Sequence, residues 1–209
     1  IFMTHFSDYI KSIEHLPSIE IAIHPNFKIR SCADDYTDSI EYILAEYPTA
    51  IGSRSHRNEC GRDVYDALYR CNVIKYDVSK LLWHIQWAEV TPMYNGMVEF
   101  PYGWEDGTFL EMGGNPTNMG DTMAWSKTPG LKIFSIHPML FYLNSINAEF
   151  RDVTRHYHDL TSVGDEELRS HMQAGHGVAM MAKSIFSWML GHGCRFFKLE
   201  DLYWQTMGD

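Results

Sequence analysis

The sequence predicts an α/β fold with parallel strands and a barrel-like layout, and three observations carry that prediction. Short apolar or β-branched runs alternate with helical stretches along the chain. About seven such strand–helix units fit within the 209 residues, a length that suits one domain with a sizeable core. Several of the runs also end alike, in a histidine and a turn: IFMTH at His5, IEIAIH at His24, AIGSRSH at His56 and LKIFSIHP at His137. In parallel α/β folds the carboxyl ends of strands are where ligands and chemistry collect.

Ile1 to Thr4 reads as a strand. Phe6, Tyr9, Ile10, Ile13 and Leu16 then fall at helical spacing, and Pro17 stops that helix. Ile19 to Ile23 reads as a short buried strand. Asp38 to Tyr47 is expected as a helix with Thr37 as N-cap, Pro48 as stop and Ile40, Ile43, Leu44 and Tyr47 facing inward. Ala50 to Ser53 is a strand, Arg62 to Cys71 a helix burying Val64, Leu68 and Cys71, and Val73 to Tyr76 another strand. From Ser79 to Gly130 periodicity is weak and Gly, Pro, Trp and Met are frequent. Long excursions are expected there around one or two strands, chiefly Met97 to Phe100. Regularity returns with a strand from Leu131 to His137 and a helix from Ala148 to Leu160. A stronger helix runs from Gly177 to Leu190, with Val178, Met181, Ala182, Ile185, Phe186 and Met189 as its core stripe. A strand from Arg195 to Lys198 and a last helix from Leu199 to Gln205 close the reading.

Composition narrows the function classes. Apolar content of 45% and charged content of 21% are those of a globular protein rather than a disordered one. A net charge of -10 argues against nucleic acid, which is met by a basic face, and against anionic lipid. No apolar run approaches the roughly 20 residues that span a bilayer. The four cysteines, Cys32, Cys60, Cys71 and Cys194, are scattered with no CxxC pair, which reads as reduced thiols in a cytoplasmic protein. The chain opens inside an apparent strand without an initiator Met. A single domain over 1–209 that is incomplete at its N-terminus is therefore expected. The sequence does not address the oligomeric state.

The residues able to do chemistry lie at the strand exits. His24, followed by Pro25, suits a metal ligand or an acid/base; its bland alternative is a histidine hydrogen-bonded in a loop. Arg54 and Arg57 flank His56 and suit an anionic substrate or a carboxylate, or else local ion pairs. Glu105 and Asp106 follow Trp104. Tyr102, Trp104 and Trp125 are candidates for an apolar wall on which a sugar ring packs, or for simple closure of one end of the fold. His137 suits a general acid tuned by a neighbouring carboxylate, or a buried histidine bonded to a carbonyl. His5 is a weaker candidate, since Thr4 and His5 also suit a helix cap. The remaining histidines, His84 among them, are expected to be solvated. There is no glycine-rich phosphate loop, HExxH or GxSxG. Metal-assisted hydrolysis needs two or three N/O ligands and a nearby acid or base, which His24, His56, a carboxylate and His137 can supply.

The order of these segments resembles the polysaccharide deacetylases of carbohydrate esterase family 4, and most closely their divergent WbmS-like branch. FMTHFSDYI, EIAIHPNF, IGSRSHR, IKYDVSKLL, FPYGWEDG, LKIFSIHPMLFYLN and GHGCRFFKLEDL carry the resemblance over nearly the whole chain. It implies a distorted (β/α)7-type barrel, here expected to lack its first strand. It also implies removal of an acetyl group from a sugar of a surface polysaccharide or its precursor, with a divalent metal, zinc by the family habit. On it His24, His56 and Asp106 are the expected metal ligands, His137 the general acid, and Arg54 and Glu105 further catalytic groups. Tyr102, Trp104 and Trp125 are the expected substrate-binding residues. The pattern departs from the family in two places. Pro25-Asn26-Phe27-Lys28 offers no second histidine, and the family's paired aspartates belong to a strand ahead of this chain's first. A glycan-binding or complex-supporting barrel without catalysis is the alternative, and an amidohydrolase of small amides a third reading.

Overall fold

A computed structural model describes residues 1–27, 36–148 and 163–208. By internal contacts the chain divides into two compact units: Ile1–Leu81 with Ala88–Tyr102 and Phe196–Asp209, and Leu82–Trp87 with Gly103–Arg195.

The first unit is built on short strands whose pairing runs in parallel. They are β1 (Phe2–Met3), β2 (Ala22–Ile23), β3 (Gly52–Ser53), β4 (Tyr76–Asp77), β5 (Thr91–Pro92) and β6 (Val98–Glu99). Their order is β1-β2-β3-β4-β6-β5, all parallel except β5, which returns antiparallel to β6. One row of the ladder reads Met3, Ile23, Ser53, Asp77, Glu99 across five strands. The row is apolar on β1 and β2 and polar on β3, β4 and β6, so polar side chains are buried at the exits of the central strands. Gly52 is required at its place: a Cβ there would lie 2.3 Å from the ring of Tyr76.

The helices α1 (Asp8–Ile13), α2 (Thr37–Glu46) and α3 (Arg62–Arg70) follow β1, β2 and β3 in the chain. Ile40 and Ile43 of α2 and Val64, Ala67 and Leu68 of α3 pack with Ile23 in one apolar cluster. As expected, Tyr47 is buried there and Leu44 partly so. Thr37 is not the cap of α2 but its first helical residue, after Tyr36, and its hydroxyl accepts from Arg70. The first helix is shorter than its apolar spacing predicts. Ser7 caps it through the Ile10 N–H, Ile13 ends it, and Phe6, Tyr9 and Leu16 are exposed; only Ile10 of that stripe joins the cluster.

The second unit holds a two-stranded parallel sheet of β7 (Trp104–Glu105) and β8 (Phe134–Ser135). Its helices are α4 (Asp106–Glu111), α5 (Gly120–Ser126), α6 (Pro138–Tyr142), α7 (Asp165–Ser170) and α8 (Val178–Gly191). The expected stripe on α8 is buried: Val178, Met181, Ile185 and Met189 pack with Trp104, Leu110, Leu140 and Leu143. The last helix, α9 (Leu199–Met207), belongs to the first unit, and its Tyr203 ring lies 6.1 Å from that of Tyr76.

Three expectations change. The stretch from Ser79 to Gly130 is more regular than it reads, holding β5, β6, β7, α4 and α5. Arg195–Lys198 is not a strand: Phe196 and Phe197 are exposed, and no ladder takes them up among the described residues. No closed barrel is found among the described residues, since the six-stranded sheet ends on β1 and β5. The helix expected from Ala148 to Leu160 lies, after Ala148 itself, outside the described residues. Cys60, Cys71 and Cys194 form no disulfide among the described residues, and Cys32 lies outside them.

Candidate active site

In the first unit the exits of β2 and β3 bring His24, Arg54 and His56 together. The Arg54 N–H donates to the Ile23 carbonyl (2.9 Å) and the His56 N–H to the Pro25 carbonyl (2.9 Å), so the parallel pairing runs one step beyond the strands. His24 Nδ1 lies 2.5 Å from the Arg54 carbonyl. A carbonyl oxygen can only accept, so His24 carries a proton on Nδ1, and in the neutral ring Nε2 is left as a lone pair. His56 Nδ1 approaches that Nε2 at 3.3 Å. Two nitrogens bound to one tetrahedral zinc at its usual distances stand about 3.3 Å apart, so this pair fits as two ligands of such an ion. A backbone carbonyl behind a ligating imidazole is the common supporting arrangement. Among the described residues no group of three or more His, Cys, Asp or Glu side chains converges to complete the set.

Arg54 is buried, and its guanidinium is held from two sides. Its Nη2 donates to Tyr102 Oη (3.1 Å) and Asn58 Oδ1 (3.4 Å), and its Cζ sits 4.5 Å from the Tyr102 ring centroid. Tyr102 Oη in turn donates to Asn58 Oδ1 at 2.7 Å. Tyr102, expected to bind substrate, is fully buried and serves here to orient Arg54. Asn58 was not among the expected residues. It and Arg57 sit in the left-handed region, at φ 58° and 59°, which turns the chain sharply after His56 and aims the Asn58 amide back at Arg54. Arg57 itself points to solvent.

Behind these groups lies an acid that spacing does not reveal. Asp77, at the end of β4, is completely buried and accepts from the Ser79 N–H (2.9 Å) and hydroxyl (3.0 Å). Burial pushes its carboxyl up to about 7. The Ser79 hydrogen bonds pull the other way, and the charge of Glu99 adds to the rise. Glu99 is raised as well, by burial, against the pull of Lys80 3.7 Å away.

In the second unit the β7 exit delivers Glu105 and Asp106, and the β8 exit delivers His137. Asp106 is fully buried. Its Oδ1 lies 2.5 Å from His137 Nδ1 and accepts from the Gly107 N–H (2.7 Å), and its Oδ2 accepts from the His137 N–H (2.8 Å). Those donors take up the carboxylate that the sequence places among the metal ligands and make it the partner of His137. Glu105 Oε1 stands 3.6 Å from His137 Nε2, while its Oε2 accepts from the Thr108 hydroxyl at 2.6 Å. The His137 side chain is 43% exposed, so a buried carboxylate orients a ring that solvent can reach.

Trp104 and Trp125, expected as a sugar-stacking wall, have their rings packed against protein. Trp104 lies against Phe109 and Phe134; Trp125 lies against Phe134 and bonds through Nε1 to the Ile85 carbonyl at 2.7 Å. His84, expected to be solvated, is stacked between Trp83 (4.8 Å) and Trp125 (5.3 Å), and burial lowers its pKa. His5 bonds to its neighbour, the Thr4 hydroxyl, at 2.7 Å and joins neither cluster.

No curated protein matches the chain. The structure is similar to the crystal structure of WbmS from Bordetella bronchiseptica, described as a polysaccharide deacetylase involved in O-antigen biosynthesis. The TM-score is 0.77 at 20% identity, covering 90% of this chain and 77% of that one, a likeness of fold. The sequence model of the WbmS-like polysaccharide deacetylases matches residues 1–155, and the chain belongs to that family.

Proposed function

We propose that the chain removes an acetyl group from an acetylated sugar of a surface polysaccharide or its precursor. The observation that carries this is the His137–Asp106 pair with Glu105 beside it, at parallel-strand exits of a chain in a deacetylase family. The reaction exchanges the acetyl C–N bond for a C–O bond to water and returns a proton to the departing amine.

His137 is suited to hold that proton. Asp106 fixes the ring with its proton on Nδ1, so Nε2 is the atom that takes up a proton and gives it to the amine nitrogen. Glu105 stands on the Nε2 side, tethered by Thr108, and faces the charge that forms there. In the first unit, taken by itself, Arg54, fixed by Tyr102 and Asn58, is a cation suited to an anionic group or a developing oxyanion. His24 and His56 of that unit are the residues that would hold a divalent metal, zinc by donor type, and such an ion would supply Lewis acidity and activate water.

Acetate release from N-acetylated amino sugars and their oligomers tests the reading. Wild type is expected to release acetate, and His137→Ala to lose about 10²–10⁴ of the rate. Full activity in that variant removes His137 from the acid role. Metal content is the second arm: stoichiometric zinc in wild type, lost in His24→Ala, supports the assigned ligands. A glycan-binding protein without catalysis is the second reading, favoured by the convergence of two ligands rather than three among the described residues. Glycan binding with neither acetate release nor bound metal would select it.

A further inference from the structure

We infer that Asp77 and Ser79 are positioning residues for His24, acting through the single peptide group that joins Arg54 to Ser55. The deacetylase reading supplies what His24 does; how it is held stands on the hydrogen bonds alone.

The two ends of that peptide group do different work. Its carbonyl, on Arg54, accepts from His24 Nδ1 at 2.5 Å. Its N–H, on Ser55, donates to Ser79 Oγ at 2.8 Å. A peptide is planar and trans, so its C=O and N–H point in opposite directions and turn as one body. Fixing the N–H fixes the carbonyl, and the carbonyl selects the His24 tautomer.

Asp77 makes Ser79 a reliable acceptor. A hydroxyl has one proton and two lone pairs. The ionised Asp77 carboxylate can only accept, so the Ser79 proton points at Asp77 Oδ1, 3.0 Å away, and a lone pair is left for Ser55. The Ser79 N–H donates to Oδ2 at 2.9 Å and locks the serine in place. Asp77, Ser79 and Ser55 are all shielded from solvent, where an unpaired donor is costly and no water competes. The chain of contacts thus runs from a buried acid on β4, through a serine and one peptide, to an imidazole at the exit of β2.

The test reads the tautomer directly and needs neither substrate nor metal. In the uniformly 15N-labelled full chain at about pH 8.5, where an unperturbed imidazole is neutral, long-range 1H–15N spectra assign the protonated nitrogen of His24. Wild type is expected to show the proton on Nδ1. Ser79→Ala and Asp77→Asn are expected to lower the Nδ1–H to Nε2–H ratio by about fivefold, the equivalent of one ordinary hydrogen bond. Ser79→Thr, which keeps the hydroxyl, should restore it. Ser79→Cys, close to serine in size but a much weaker acceptor, is the second variant, and it too is expected to lower the ratio, which keeps the test open if Ser79→Ala does not fold. An unchanged His24 tautomer in folded Ser79→Ala or Ser79→Cys overturns the inference, whatever the melting temperature does. Acetate release by wild type is a separate measurement: its absence would remove the deacetylase reading and leave the tautomer result standing.

Discussion

His24 and His137 occupy equivalent places in their two units, each following a parallel strand by a step or two, yet they have been given different partners. His24 Nδ1 meets an uncharged backbone carbonyl, and His137 Nδ1 meets a buried carboxylate. Both partners fix the same tautomer. The carbonyl adds no net charge and leaves Nε2 as a lone pair, which suits a ligand. The carboxylate adds a negative charge that balances a proton arriving on Nε2, which suits a proton carrier. On the far side of the ring the contrast repeats: His24 Nε2 faces another imidazole, and His137 Nε2 faces Glu105. One strand-end signal therefore serves two chemistries, and the second hydrogen-bond partner decides which.

The sharpest way to break this contrast is to make the two partners alike. Asp106→Asn keeps the shape of the carboxylate but removes its charge, and it allows an amide N–H to face His137 Nδ1. Acetate release is expected to fall by about 10²–10⁴, the range for a lost acid–base group, while bound zinc stays near the wild-type level. His24→Ala is expected to do the reverse to the metal. If Asp106→Asn retains full activity, the two histidines are not distinguished by their partners.

The next effect concerns stability and belongs to the first unit alone. The folded Asp77 carboxyl lies at about 7, above the ordinary 3.8. Between those values the folded chain binds the proton more tightly than the unfolded one. The Asp77 contribution is therefore least unfavourable below about pH 4 and becomes fully unfavourable above about pH 7. Stability should fall as pH rises through that window, by at most a few kcal/mol from this group. Urea unfolding of wild type and Asp77→Asn across pH 4 to 8 checks it: the variant should show a shallower downward slope, with Glu99, also raised by burial, supplying part of what remains, and parallel curves would count against it.

Each unit also has a glycine under an aromatic ring. A Cβ at Gly52 would lie 2.3 Å from Tyr76, and one at Gly103 would lie 2.2 Å from Trp125. Neither ring can simply swing away. Tyr76 packs edge-on to Phe100, and Trp125 is tied to the Ile85 carbonyl. Gly52→Ala and Gly103→Ala are each expected to cost about 1–3 kcal/mol, or about 2–4 °C of melting temperature per kcal/mol. Thermal melts measure this. The comparison sharpens if Gly52→Ala lowers zinc content and Gly103→Ala lowers acetate release.

What could be read in the sequence was what repeats locally. The β-branched runs before His24, His56 and His137 mark strand ends without help from distant residues, and the stripe on α8 is long enough to show its period. Helices α4 and α5 have six and seven residues, too short for a helical repeat to stand out among so many aromatics. YDVS gave no sign that Asp77 is buried, because that depends on β3 and β6 lying to either side of β4. The Asp106–His137 pairing spans 31 residues, and adjacent Glu105 and Asp106 look equivalent until the fold points one at each ring nitrogen. His84 is enclosed by Trp125, a contact that no spacing near His84 encodes.

The smallest expected effect tests the finer division within the acidic pair. Asp106 is held by backbone N–H groups that no side-chain substitution removes, whereas Glu105 Oε2 accepts from a side chain, the Thr108 hydroxyl. Thr108→Val keeps the branched shape and deletes that donor. Losing one such bond to a charged acceptor amounts to about 1.5–3 kcal/mol if nothing replaces it. Glu105 is only 6% exposed and has little room to rotate away, so a smaller penalty is expected. Acetate release should fall by about threefold to tenfold, with the zinc content and the His24 tautomer unchanged. A loss as large as that of Asp106→Asn would mean that Glu105, not Asp106, is the carboxylate on which His137 chiefly relies. The division of labour between the two ring nitrogens would then have to be reversed.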